Sequence, residues 1–97
     1  MNVIYRLQGS EFEWDSHKAQ SNIDKHGVTF EEATEAFLDP FYQSGDATVK
    51  KELREFIIGY SLRQRLLLVV YVDRNNRSRI ISARPATRNE RKLYESN

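Results

Sequence analysis

Apolar and polar residues alternate along this chain with two different periods, and the changes of period mark out its elements. Phe12 and Trp14 alternate with Glu11, Glu13 and Asp15, the pattern of a half-buried extended segment. Met1 to Gln8, just before, is rich in β-branched and aromatic residues, which predicts a short first strand. From Ser16 the period lengthens. Ala19, Asn22, Ile23 and His26 recur at helical spacing, Asp15 suits the N-cap, and Gly27 stands where a C-cap glycine belongs, so a helix is predicted over 16–26. Thr29 and Glu32 form a capping-box pattern that opens a second helix with Phe30, Ala33 and Phe37 as its apolar stripe, and Asp39-Pro40 ends it.

Residues 41–51 read as a loop with a turn signal at Gly45-Asp46. Three strands are predicted beyond it: 53–60, 66–72 and 79–83. The middle one, Leu66 to Val72, is almost uninterruptedly apolar, as a central strand covered on both faces requires. Strict alternation in the third would put Arg79, Ile81 and Ala83 on one face and Ile80, Ser82 and Arg84 on the other. Pro85 ends that strand. Thr87 and Glu90 make a second capping box, and Leu93 and Tyr94 give the final helix a small apolar face. The order (β)ααβββα predicts an α+β fold in one domain over 1–97: a small antiparallel sheet with helices packed against it, on one side.

Charge changes this picture more than composition does. With 39% hydrophobic and 30% charged residues the chain is ordinary for a folded protein, and its net charge is +1. The two halves differ sharply, however. Residues 1–48 carry three basic and nine acidic groups, net −6, and residues 49–97 carry twelve basic and five acidic groups, net +7. That split fits either an electropositive face for a polyanion or acidic partner, or a fold whose halves pair with each other. The absence of cysteine removes disulfides and thiol nucleophiles, and the two histidines, His17 and His26, are not at metal-ligand spacing. No cofactor or metal is therefore expected. No apolar run is long enough to span a bilayer and no signal peptide is visible, so a cytoplasmic protein is expected.

The candidate chemistry lies where the last strand meets the last helix. Arg88 falls in the first helical turn, where a cation opposes the helix dipole, and Arg84 precedes it by four residues. Together they could flank a phosphate at the helix N-terminus, or form a solvated basic turn paired with Glu90. His26 is either an acid or base active near neutral pH or a residue held by the dipole at a helix C-terminus. Lys25 is a phosphate ligand or an ordinary helix-end lysine, and Asn22 is a buried structural amide or part of a site.

The segments "FEWD", "KHGVTFEEA" (Lys25–Ala33) and "RIISARPATRNERKLYE" (Arg79–Glu95), in that order, resemble the BrnT family of type II toxin–antitoxin toxins. The resemblance implies a fold similar to RelE-like ribonucleases and metal-independent cleavage of RNA. It implies neutralisation by a cognate antitoxin, usually a ribbon-helix-helix DNA-binding protein through which the pair reaches operator DNA. It points to Lys25, His26, Arg54, Arg84 and Arg88 as the RNA site, with His26, Arg84 and Arg88 expected to be catalytic and Lys25 and Arg54 RNA ligands; the residues themselves add Arg79 as a further RNA ligand and Glu55 as a weaker acid or base, since a strand glutamate also pairs readily with a neighbouring cation. The loop "FYQSGDATVKKELREF" departs from the family's Asp/His-rich loop, and the segment before Phe12 is longer than in many members. A non-catalytic RNA- or protein-binding module, or a decayed toxin acting only as co-repressor, is the alternative.

Overall fold

A computed structural model describes residues 1–96 of the chain. Strands β1 (Asn2–Leu7) and β2 (Ser10–Asp15) form an antiparallel hairpin, and β2 runs straight into helix α1 (Ser16–His26). The Asp15 carboxylate caps α1 by accepting from the Lys18 N–H, and Gly27 closes it at φ 67°, a left-handed conformation that glycine adopts at no steric cost. Helix α2 (Phe30–Glu35) follows, continued by a 3-10 turn at Ala36–Leu38. The Thr29 hydroxyl caps α2, but Glu32 does not complete the expected box, because its carboxylate binds Arg65 and the Ser61 hydroxyl instead.

The sequence-based loop at 41–51 contains a strand, β3 (Gln43–Asp46), which pairs antiparallel with β4 (Glu55–Tyr60). Gln-Ser-Gly-Asp has no β preference of its own; β4 supplies the ladder that makes it a strand. β5 (Leu66–Arg74) and β6 (Arg77–Pro85) extend past their predicted ends as a hairpin, and Asn75 and Asn76 turn it, both at positive φ. Helix α3 (Arg88–Glu95) closes the chain with the predicted capping box intact.

All six strands form one sheet in the order β1-β2-β6-β5-β4-β3. Every pairing is antiparallel except β2 with β6, which is parallel and short: Phe12 opposite Ser78 and Glu13 opposite Arg79. Past Arg79, β6 has no strand neighbour on that side. α1 takes the place instead, and its buried Asn22 continues the ladder: the amide accepts from Ala83 N–H (3.1 Å) and donates to the Ala83 carbonyl (2.7 Å) and the Val28 carbonyl (2.9 Å). This decides the reading of Asn22 in favour of a structural amide.

The main core lies between the sheet and α1–α2. Phe12, Trp14, Val28, Phe30, Ile57, Leu67, Val69, Ile80 and Ala83 fill it, with Trp14 and Phe30 edge to face at 5.8 Å. The opposite face carries a smaller cluster of Ile58, Leu66 and Leu68, covered by Ala86 and Tyr94. The helices are thus on both faces of the sheet, not one. α3 crosses over because β5 is apolar on both sides and Tyr94 supplies the cover that its second side needs, while Leu93 stays half exposed. Strict alternation also fails in β6. A register shift between Val70 and Tyr71 leaves Ile81 unopposed, so Ile80 and Ala83 both enter the main core. Arg79 and Arg84 then share the α3 face, opposite Val72 and Leu68 respectively.

Candidate functional site

The charge split is resolved in part within the fold. Arg65 binds Glu32, Arg77 binds Glu11 and Glu13, and Arg79 binds Glu13 and the Asn2 side chain, so the basic half is tied to the acidic half across the sheet. Glu32 is buried, and the Arg65 guanidinium followed by the Ser61 hydroxyl holds its carboxyl below the ordinary value against the cost of burial. Arg79, expected to be an RNA ligand, is consumed by this network and fastens β6 to β1 and β2.

The strand-to-helix corner is likewise occupied from within. Both terminal nitrogens of Arg84 reach the Glu90 carboxylate, at 2.7 and 2.8 Å, a bidentate pair. Glu90 also accepts from the Thr87 N–H at 2.9 Å, while its own N–H is taken by the Thr87 hydroxyl. The pairing raises Arg84 above its usual value and, led by that guanidinium, lowers the Glu90 carboxyl. A carboxylate thus sits where an anion at this helix end would lie. Arg88, one residue past the cap, is exposed and makes no ion pair among the described residues. Farther along α3, Arg91 donates to the Tyr60 hydroxyl at 3.1 Å. Tyr94 donates to Asp39 at 2.7 Å, and burial followed by that carboxylate pushes Tyr94 up to about 12. Burial alone would raise Asp39, but donors from Tyr60, Tyr94 and Phe41 outweigh it and hold the carboxyl low. The sequence reading did not include this Asp39–Tyr94 clamp; Asp39 registered only as a helix-ending residue before Pro40.

A second basic group lies along α1. Lys25 and His26, both exposed, line a depression of about 180 Å³ with Lys18, Ser21, Asn22, Ile81 and Ser82. Lys18 was not foreseen, although its spacing of seven residues from Lys25 places both on one helix face. Arg84 follows Ser82 by two residues, about 7 Å along the strand. Lys25 and His26 therefore border β6 near the end that carries Arg84, and Arg88 follows in the first turn of α3. Arg54 and Glu55 do not join them. Arg54 immediately precedes β4 and Glu55 opens it; Glu55 faces Tyr71, whereas Arg84 faces Leu68, so Glu55 lies about 10 Å away along the strands and two strands across. Arg54 pairs with Glu52, and burial and the Glu55 carboxylate push Tyr71 up to about 12. Among the described residues, no three His, Cys, Asp or Glu side chains are grouped to hold a metal ion, and no described helix is long and apolar enough to cross a membrane.

The fold has a counterpart among solved structures. The crystal structure of the Brucella abortus ribonuclease toxin BrnT superposes with a TM-score of 0.60 at 28% identity, covering 77% of this chain and 94% of that one. No curated protein matches the chain in sequence. The family model described as "Ribonuclease toxin, BrnT, of type II toxin-antitoxin system" matches residues 14–90, which excludes β1 and most of β2. The chain belongs to the BrnT family of ribonuclease toxins of type II toxin–antitoxin systems.

Proposed function

We propose that this protein is an endoribonuclease that cuts RNA without a metal ion, at the end of β6, and is restrained by its cognate antitoxin. The observation that carries the reading is the distribution of unpaired cations. Six of the ten arginines are paired with carboxylates, and of the nine Lys and Arg without an acidic partner among the described residues, Lys18 and Lys25 line one depression beside β6 together with His26, while Arg88 opens the helix that follows β6. In this site His26 moves a proton between the ribose 2′-OH or the leaving 5′-oxygen and solvent. Arg88 meets the phosphate as charge develops on it, and Arg84, aligned by Glu90, adds a fixed positive charge or exchanges its carboxylate for the phosphate. The 2′-oxygen bonds to phosphorus and the 5′-oxygen leaves with a proton, giving a 2′,3′-cyclic phosphate and a 5′-hydroxyl.

The family resemblance implies the antitoxin, a ribbon-helix-helix protein that carries the pair to operator DNA in the cytoplasm, and the same cations would attract its acidic side chains to Arg88 and α1. Arg54, Arg79 and Glu55 lie too far off or are too fully paired for direct contact with the scissile phosphate. The second reading, a binding module without catalysis, is favoured by Glu90 filling the Arg84 fork. The deciding experiment incubates purified protein with a defined RNA in EDTA and determines the product termini. Cyclic phosphates formed in EDTA support the nuclease. Activity lost in EDTA and restored by Mg²⁺ rejects the metal-free route, and binding without product favours the module.

A further inference from the structure

We propose that the seam between α1 and β6 is a track for the RNA backbone, with Lys18 and Lys25 as phosphate ligands and the Ser21 and Ser82 hydroxyls between them. The proposal rests on RNA being the polyanion and extends the site beyond the residues around the scissile phosphate. Its anchor is Asn22, whose three hydrogen bonds fix one line of α1 against the open edge of β6. Lys18 and Lys25 stand one turn before and one turn after that anchor, so both border the same seam. The depression between helix and strand is lined by these two lysines, both serines and His26.

Seven residues of helix separate the lysines by about 10 Å, roughly three steps of a stacked strand at 3.4 Å per nucleotide. The acidic groups nearby on α1 are engaged elsewhere: Asp15 caps the helix and Asp24 accepts from Gln20. Neither lysine is neutralised by a carboxylate among the described residues, unlike Arg77 and Arg79 at the other end of β6. Lysine is a point charge on a flexible stem, which suits contacts that hold a backbone without reading bases. The last residues of β6, beyond Ser82, would hand the RNA from this track to Arg84 and Arg88.

The test measures binding of a labelled 2′-O-methyl oligoribonucleotide, which lacks the attacking hydroxyl and cannot be cut, by fluorescence anisotropy between about 50 and 200 mM salt. Lys18→Gln and Lys25→Gln should each reduce the slope of log affinity against log salt by about 0.7, the double variant by about 1.4, and Lys50→Gln, in a distant loop, by nothing. An unchanged slope for Lys18→Gln, an equal loss for Lys50→Gln, or no binding by the unaltered protein overturns the track. Reduced slopes in a protein that cuts no natural RNA uphold the track and reject the nuclease. Cutting with unchanged slopes does the reverse.

Discussion

Replacing Asn22 with alanine tests the way helix α1 is held to the sheet. The amide makes three buried hydrogen bonds: two to carbonyls, of Val28 and Ala83, and one from the Ala83 N–H. Truncation leaves the Ala83 N–H and both carbonyls without these partners. Each such bond contributes about 1 kcal/mol net, and an unsatisfied buried group costs about 1–3 kcal/mol. The adjoining depression would let water reach part of the gap, which holds the total near the lower end, at about 3 kcal/mol. On a domain whose whole stability is about 5–15 kcal/mol, that is a large fraction. In a chain of this length it corresponds to a fall in melting temperature of roughly 12–24 °C, at about 4–8 °C per kcal/mol. Thermal and urea unfolding followed by far-UV circular dichroism measure it. A fall of under about 5 °C would refute the reasoning, because it would mean that α1 is held by apolar packing alone and Asn22 bears no ladder.

Gly59→Ala should destabilise by about 1–3 kcal/mol, since a Cβ there would come within 2.7 Å of the Ala36 backbone carbonyl oxygen, which cannot swing aside; urea midpoints of the variant check this. Gly45→Ala should cost less, because its Cβ would meet the far end of the Phe56 ring, a side chain able to move. Acid should weaken the fold through Glu32 and Glu90. Both have folded-state values below their unfolded ones, so their stabilisation is present above the unfolded carboxylate range, near 4.3, and is lost as pH falls through the depressed values. Stability measured from pH 7 down to pH 2 should fall below about 4.3, and Glu32→Gln should flatten that limb while lowering stability at neutral pH. Arg88→Gln should leave the melting temperature unchanged or slightly raised, because the cation opposes the dipole of α3, and should slow single-turnover RNA cleavage about 10²-fold. Wild-type cleavage by the folded variant would remove Arg88 from the site.

The local elements were written in the chain. Asp15 and Gly27 bound α1 as a capping residue and a left-handed glycine must, Thr87 and Glu90 open α3, and the unbroken run Leu66–Val72 marks the strand covered on both faces. These signals are short-range, so neighbouring residues suffice to produce them. Four features depended on partners distant in sequence, which no local pattern contains. β3 exists because β4 lies beside it. Glu32 leaves its own helix cap because Arg65, thirty-three residues on, offers a stronger charge-assisted bond. The bulge at Ile81 turns both Arg79 and Arg84 to the α3 face, where alternation would have separated them. The charge split revealed that the halves attract each other, but not which cations would remain. Only the pairing of β6 with β2 decided that Arg77 and Arg79 are neutralised by Glu11 and Glu13, while Lys18, Lys25 and Arg88, beyond the reach of that strand, stay unpaired at the surface.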